Sequence, residues 1–82
     1  MRLDKFLKVS RIIKRRTVAN EACDVNRVLI NALPAKPSRV VKVGDIISIR
    51  FGDKIAKFKV KEIPNGNVSK EKADELYELL NE

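Results

Sequence analysis

The sequence predicts a small α+β domain: two N-terminal helices packed on a short, mainly antiparallel four-stranded sheet, followed by a C-terminal helix. Three features predict it. Apolar residues recur at helical spacing from Leu3 to Cys23. From Asn26 the pattern changes to short β-branched runs and alternation in steps of two. Helical spacing returns after the "PNGN" break at Pro64–Asn67.

In the first helix Leu3, Phe6 and Leu7 fall at i, i+3 and i+4, which sets them on one face. Arg2, Lys5 and Lys8 recur every third residue and are expected to share one solvent-facing flank. A break near Ser10–Lys14 precedes a second helix, roughly Arg15 to Val25, where Val18, Ala19, Ala22 and Cys23 repeat the apolar spacing. Its start stays open: Thr17 could cap it, or Arg15 and Arg16 could already be helical. Asn26 stands where a helix end favours a left-handed residue, which Asn tolerates better than most.

"RVLIN" then reads as a strand that "NA" turns back into "LPAK", and Pro34 and Pro37 confine that second strand to an edge or cut it short. "VKVGD" turns into "IISIRF", where Ile47, Ile49 and Phe51 alternate with Ile46, Ser48 and Arg50. Gly52–Asp53 suits a two-residue hairpin with glycine first. "KIAKFKVKEI" alternates strictly, Ala56, Phe58 and Val60 inward and Lys57, Lys59 and Lys61 outward. The lysine row reads as protection of an edge strand or as a second phosphate track. Ser69 offers an N-cap for the last helix, whose apolar face would be Ala73, Leu76, Tyr77 and Leu80 and whose acids are Glu71, Asp74, Glu75, Glu78 and Glu82. Residues 1–63 are expected to form the main body, and 64–82 an acidic helix of the same domain.

Size and composition exclude more than they specify. A chain of 82 residues buries only about 60 to 65% of its unfolded surface, leaving little room for an enclosed active site. No apolar run approaches the ~18 residues of a membrane span, and "MRLDKFLKVSR" alternates where a secretory signal would be unbroken, so a cytoplasmic protein without membrane partners is expected. The lone Cys23, on the apolar side of the second helix, reads as a packing residue. With no His, one Cys, dispersed carboxylates and three isolated glycines (Gly44, Gly52, Gly66), the chain offers no metal-ligand spacing, no imidazole base and no phosphate loop. Neither catalysis nor a cofactor is expected. Phe6, Phe51, Phe58 and Tyr77 fall at core-phase positions, so no stacking platform for bases is expected among the cations.

The net charge of +7 is uneven: residues 1–50 hold 12 Lys or Arg against 4 Asp or Glu, whereas residues 51–82 hold 6 against 7. Such asymmetry points to a polyanion met by one part of the chain: nucleic acid, an anionic membrane surface or an acidic protein. Within "SRIIKRRTVANEA" stand Arg11, Lys14, Arg15 and Arg16, where the second helix begins. Guanidinium forks suit phosphate oxygens, and helix-terminal amides add to their pull. Arg2, Lys5 and Lys8 could face the same side, completing a candidate nucleic-acid site. RNA and DNA stay undivided here, although a major-groove reader would need its cations on the exposed face of the helix rather than ahead of it.

The run from "MRLDKFL" through "IKRRTVANEA" and "NRVLINA" to "VKVGDIISI" resembles the S-four RNA-binding domain, named for small-subunit ribosomal protein four. Its pattern is R-L-D-x-x-L, an Arg-led helix, a G-x-V-x-V-N-G hairpin and a V-x-x-G-D-x-I turn. Asn26 and Ala32 replace two of its glycines. The resemblance implies an αL-type RNA-binding fold with Arg2 and Arg16 as the clearest contacts and Arg11, Lys14 and Arg15 beside them. The short stand-alone form, with "RFG" before the last strand, is similar to the ribosome quality-control members of this family. That likeness implies a monomer on the obstructed large ribosomal subunit, touching rRNA and tRNA, with an RqcH-like protein in the same complex and alanine tailing of stalled chains as the outcome. Two alternatives stand beside it: a small ribosome-associated heat-shock-type factor that recycles large subunits with nascent chains, and a protein-interaction adaptor docking through the acidic final helix.

Overall fold

The computed structural model describes residues 1–80. In it the chain runs α1 (Leu3–Val9), α2 (Arg16–Asp24), β1 (Val28–Ile30), β2 (Leu33–Pro34), β3 (Ile46–Phe51), β4 (Lys54–Val60), α3 (Lys70–Ala73), a 3-10 turn (Asp74–Leu76) and β5 (Tyr77–Leu80). One sheet in the order β2-β1-β3-β4-β5 joins the strands, every neighbouring pair antiparallel. The α+β class is as expected, with one strand more.

That strand replaces most of the expected last helix. Ser69 caps as predicted, accepting from the Lys72 N–H at 3.2 Å, but α3 and the 3-10 turn stop at Leu76, and Tyr77–Leu80 pairs with β4. Charge explains the switch. On a helix Glu71, Asp74, Glu75 and Glu78 would line one face at i, i+3, i+4 and i+7, and each such like-charge pair costs a few tenths of a kcal/mol. As a strand, "YELL" sets Glu78 opposite Lys59, and the Tyr77 ring meets Phe58 edge-on with centroids 5.4 Å apart. Glu82, assigned to the same acidic helix, lies outside the described residues. Because β5 covers one side of β4 and β3 the other, β4 is an interior strand, and its lysines do not protect an edge. Pro34, by contrast, sits on an edge strand as expected.

Leu3, Phe6 and Leu7 from α1 and Ala19 and Cys23 from α2 share one buried core with Val28, Ile30, Ile47, Ile49, Phe58 and Val60. Burial, with the Asp4 and Asp24 charges adding to it, pushes the Cys23 thiol up to about 11, in keeping with a packing role. Phe51 departs from expectation. It keeps the phase of Ile47 and Ile49, yet at the end of β3, beside the Gly52–Asp53 turn, it is 51% exposed. An uncovered aromatic therefore does stand next to Arg50 and opposite Lys54.

Loops tie the helices down. Asn26 is left-handed (φ 59°), and behind it the Arg27 N–H reaches the Ala22 carbonyl at 2.9 Å and the Asn26 N–H the Cys23 carbonyl at 3.1 Å, a Schellman end. The start of α1 is clamped from outside, Leu3 N–H donating to the Arg39 carbonyl at 2.8 Å and Asp4 N–H to the Pro37 carbonyl at 3.1 Å, while Val41 N–H donates to the Met1 carbonyl at 2.9 Å.

The β1–β2 turn holds both Asn31 (φ 52°) and Ala32 (φ 71°) in left-handed backbone, the signature of a type I′ hairpin. Asn31 supports it, accepting the Ile46 N–H at 3.0 Å and donating to Asp45 at 3.2 Å. Ala32 gains nothing comparable, and a non-glycine residue there costs about 1 to 2 kcal/mol. Ala32→Gly is therefore expected to stabilise the protein by about 0.5 kcal/mol or more once the unfolded-state entropy of glycine is set against that strain. Denaturant midpoints check this, and a lower midpoint would contradict the strain.

Candidate nucleic-acid interface

The cations gather at the α1–α2 joint because the apolar residues of that joint turn inward. The chain leaves α1 through left-handed Arg11 (φ 63°). The Arg11 N–H bonds the Lys8 carbonyl at 3.0 Å and the Ile13 N–H the Leu7 carbonyl at 3.1 Å, while buried Ser10 donates its hydroxyl to the Leu7 carbonyl at 3.2 Å. Ile12 and Ile13 pack against the core. What remains for solvent is Arg11, Lys14, Arg15 and Arg16, all exposed. α2 begins at Arg16 with Arg15 in the N-cap position, no side chain capping it and no acid in its first turn. Its leading amides add positive potential to the same corner.

Asp4 organises the centre. It is 2% exposed, in the first turn of α1, and its Oδ1 accepts the Lys5 N–H at 2.8 Å. Two guanidinium groups converge on this carboxylate from opposite ends of the cluster. Arg2 approaches with Nε at 3.3 Å from Oδ1 and Nη2 at 3.4 Å from Oδ2. Arg16 does so with Nε at 3.3 Å from Oδ2 and Nη2 at 3.5 Å from Oδ1. Asn20 donates to Oδ2 at 3.4 Å. These contacts are longer than the 2.7 to 2.9 Å of a tight fork-to-fork pair, and the Arg2 and Arg16 side chains stay 51% and 47% exposed. One anchor thus orients two half-free forks. Burial pulls the Asp4 pKa upward, but hydrogen bonds from Arg16 and Asn20, the Arg16 charge and the Lys5 amide outweigh it and hold the carboxyl below the usual 3.8.

The other predicted cations distribute around this centre. Lys8, Arg11 and Lys14 line a shallow cleft with Val9, Asn67 and Val68. Lys5 is half-buried beside Asp4 and offers its amide to it. Arg2 turns to Asp4 while Lys8 turns to the cleft, so Arg2, Lys5 and Lys8 do not form the single flank expected from their spacing. Asp4 and Asn20 are the site residues that sequence reasoning missed. For Asp4 there was a signal: it is the lone acid among seven cations in residues 1–16. Asn20 offered none, since its role depends on how α2 crosses α1.

Seven cations against one carboxylate leave this surface at +6 (seven minus one), suited to phosphates and open enough for a folded polyanion. A broader depression, lined by Arg2, Asn20, Pro34, Lys36 and Ser38 among others, continues the surface toward the β1–β2 hairpin. Among the described residues no cluster of His, Cys, Asp or Glu could hold a metal ion, and no helix is long and apolar enough to cross a membrane.

Comparison with known proteins agrees with this geometry. The S4 domain model matches residues 1–47. The RQC P-site tRNA stabilizing factor of Listeria innocua is 51% identical over 82 residues, all of this chain and 88% of that protein. Among solved structures, the protein HP1423 superimposes with a TM-score of 0.85 at 34% identity, covering 100% of this chain and 99% of that one. Heat shock protein 15 of Vibrio cholerae, solved as a trimer, gives a TM-score of 0.88 at 30% identity, covering 98% and 81%.

Proposed function

Because the chain belongs to the S4-domain family of RQC P-site tRNA stabilizing factors (RqcP), we propose that it binds the large ribosomal subunit that still carries peptidyl-tRNA, touches both rRNA and tRNA there, and supports RqcH-dependent C-terminal alanine tailing of stalled nascent chains. The role is binding and positioning in the cytoplasm, by a monomer and without catalysis. The observation that carries it is the pair Arg2 and Arg16, aimed by one buried carboxylate and left half-exposed. Around them Lys5, Lys8, Arg11, Lys14 and Arg15 supply further phosphate contacts. Such a surface reads backbone and shape, which suits folded RNA.

The heat-shock-type alternative is less favoured, since the likeness to Vibrio cholerae heat shock protein 15 is 30% where that to the Listeria innocua factor is 51%. The adaptor alternative relied on an acidic final helix, and that segment is a short helix and a strand of the sheet.

Salt dependence tests the electrostatic account. Neutralising about five to seven phosphates gives a slope of log affinity against log salt near −4 to −6. Co-sedimentation with tRNA-bearing large subunits across a salt series measures it, and a slope shallower than about −1 would refute the reading. Loss of alanine tails on deletion, with co-purification of an RqcH-like protein, tests the finer assignment.

A further inference from the structure

The surface around Asp4 is built for phosphates and reads no base. The depression beside it is built differently. It measures about 560 Å³, inside the ~300 to 1,000 Å³ of ordinary ligand clefts. Its buried lining is apolar, Cys23 and Ala35, and the Pro34 and Pro37 rings extend that apolar wall. Arg2 and Asn20 line it and also hold Asp4, so the depression opens directly off the phosphate site.

Asp24, which lines the same space, stands against local chemistry. It is the last residue of α2, where the helix dipole disfavours a carboxylate. The last turn holds no basic residue, and Asp24 forms no ion pair with any described residue. Its charge is felt at the Cys23 thiol, which places the carboxylate at the depression. On a surface that collects phosphates, an acid here costs affinity unless it has a ligand group of its own. The Asn26 amide and the Ser38 hydroxyl, both exposed, line the depression too and make no side-chain hydrogen bond among the described residues.

A flat apolar body with a hydrogen-bonding edge and a phosphate alongside describes a nucleotide. Unpaired bases are the ones whose pairing edge a protein can read. Of the four RNA bases only guanine shows two adjacent N–H donors on that edge, and a carboxylate has two acceptor oxygens to meet them. The guanine O6 next to them is an acceptor that suits the Asn26 amide. We propose that the depression takes one unpaired guanine of the bound RNA, with Asp24 reading its N1–H and N2–H and the adjoining phosphate on Arg2. The inference rests on the proposed function for the RNA and goes beyond it in giving the protein a preferred base. A free guanine nucleotide has the same chemistry, but continuity with Arg2 and Arg16 favours a base that arrives on a longer strand.

Fluorescence anisotropy with the full chain and five RNA hairpins tests this. Four carry a single unpaired G, A, C or U in the stem, and the fifth is fully paired. The hairpin with unpaired G is expected to bind about tenfold tighter than the others, within the range of one good bidentate contact. Asp24→Asn replaces an acceptor by a donor and should remove that preference while binding of the paired hairpin holds or rises. A variant that shifts all five RNAs together would show a merely electrostatic effect and overturn the inference. Ser38→Trp, which fills the space from an exposed position, should remove the preference with Asp24 intact, and a preference that survives both variants overturns the assignment. Free GMP that competes at concentrations matching the hairpin would overturn RNA as the source of the base. Equal wild-type affinity for all five RNAs overturns this inference alone. Arg16→Ala should weaken all five alike, and a wild type that binds none of them overturns the proposed function as well.

Discussion

Asp4→Ala is expected to lower stability by about 2 to 3 kcal/mol and to weaken RNA binding at the same time, although Asp4 itself would repel a phosphate. The carboxylate is buried and takes hydrogen bonds from the Lys5 amide, Arg2, Arg16 and Asn20. Removing it leaves those donors and two facing guanidinium groups without their common partner, a change of the kind that costs most in folded proteins. A domain of 82 residues has only about 4 to 12 kcal/mol in total, and each kcal/mol shifts Tm by about 4 to 8 °C. Thermal melts should therefore fall by roughly 10 to 20 °C. Loss of RNA affinity measured below the lowered Tm would separate misaimed arginines from unfolding. A variant that melts normally would show that the carboxylate is dispensable to the fold.

The same residue sets a pH response. Its folded-state pKa lies below the ordinary 3.8, so its ionised form is favoured by folding. That contribution is fully present above the unfolded value and is lost as pH falls through the folded one. Wild-type stability should therefore stay level, as far as Asp4 determines it, from neutral pH down to the ordinary carboxyl range and decline beneath it. Asp4→Asn should start lower at neutral pH and show a correspondingly shallower acid decline.

Arg16→Ala should have the larger effect on binding and the smaller one on folding. A guanidinium fork making charge-assisted hydrogen bonds to phosphate contributes about 1.5 to 3 kcal/mol, so affinity for tRNA-bearing large subunits should fall by about 10- to 100-fold. Stability should drop by about 1 kcal/mol or less, because the side chain is 47% exposed and such pairs are weakened by solvent. Asp4 also keeps Arg2, Asn20 and the Lys5 amide. Arg16→Lys should recover only part of the affinity, since an ammonium is a point charge without the fork. Full recovery would mean that charge alone matters at this position.

The parts of the fold that local chemistry determines were legible in the sequence. Leu3, Phe6 and Leu7 announced a helix face, Asn26 a left-handed helix end, Ser69 a cap and Gly52–Asp53 a hairpin, and each stands where the pattern put it. Tyr77–Leu80 was not legible, because "YELL" satisfies a helical and an alternating pattern equally. The choice falls to Phe58 and Lys59 across the sheet, partners that no local window contains. Phe51 followed its parity and still lies half-exposed, since periodicity gives the side of a sheet but not the extent of what covers it. At the site, the crowding of Arg11, Lys14, Arg15 and Arg16 was plain. The convergence of Arg2 and Arg16 on Asp4 required knowing how two helices cross.

The clamp of Pro37, Arg39 and Val41 on the first residues gives the molecule an order of assembly. Arg2 takes its place only after the backbone some forty residues downstream has left the ribosome and bridged it at Val40. A nascent copy displaying both opening helices therefore carries Arg11, Lys14, Arg15 and Arg16 in advance of a seated Arg2, and a single proteolytic nick between Pro37 and Val41 would loosen that one fork without removing any positive charge.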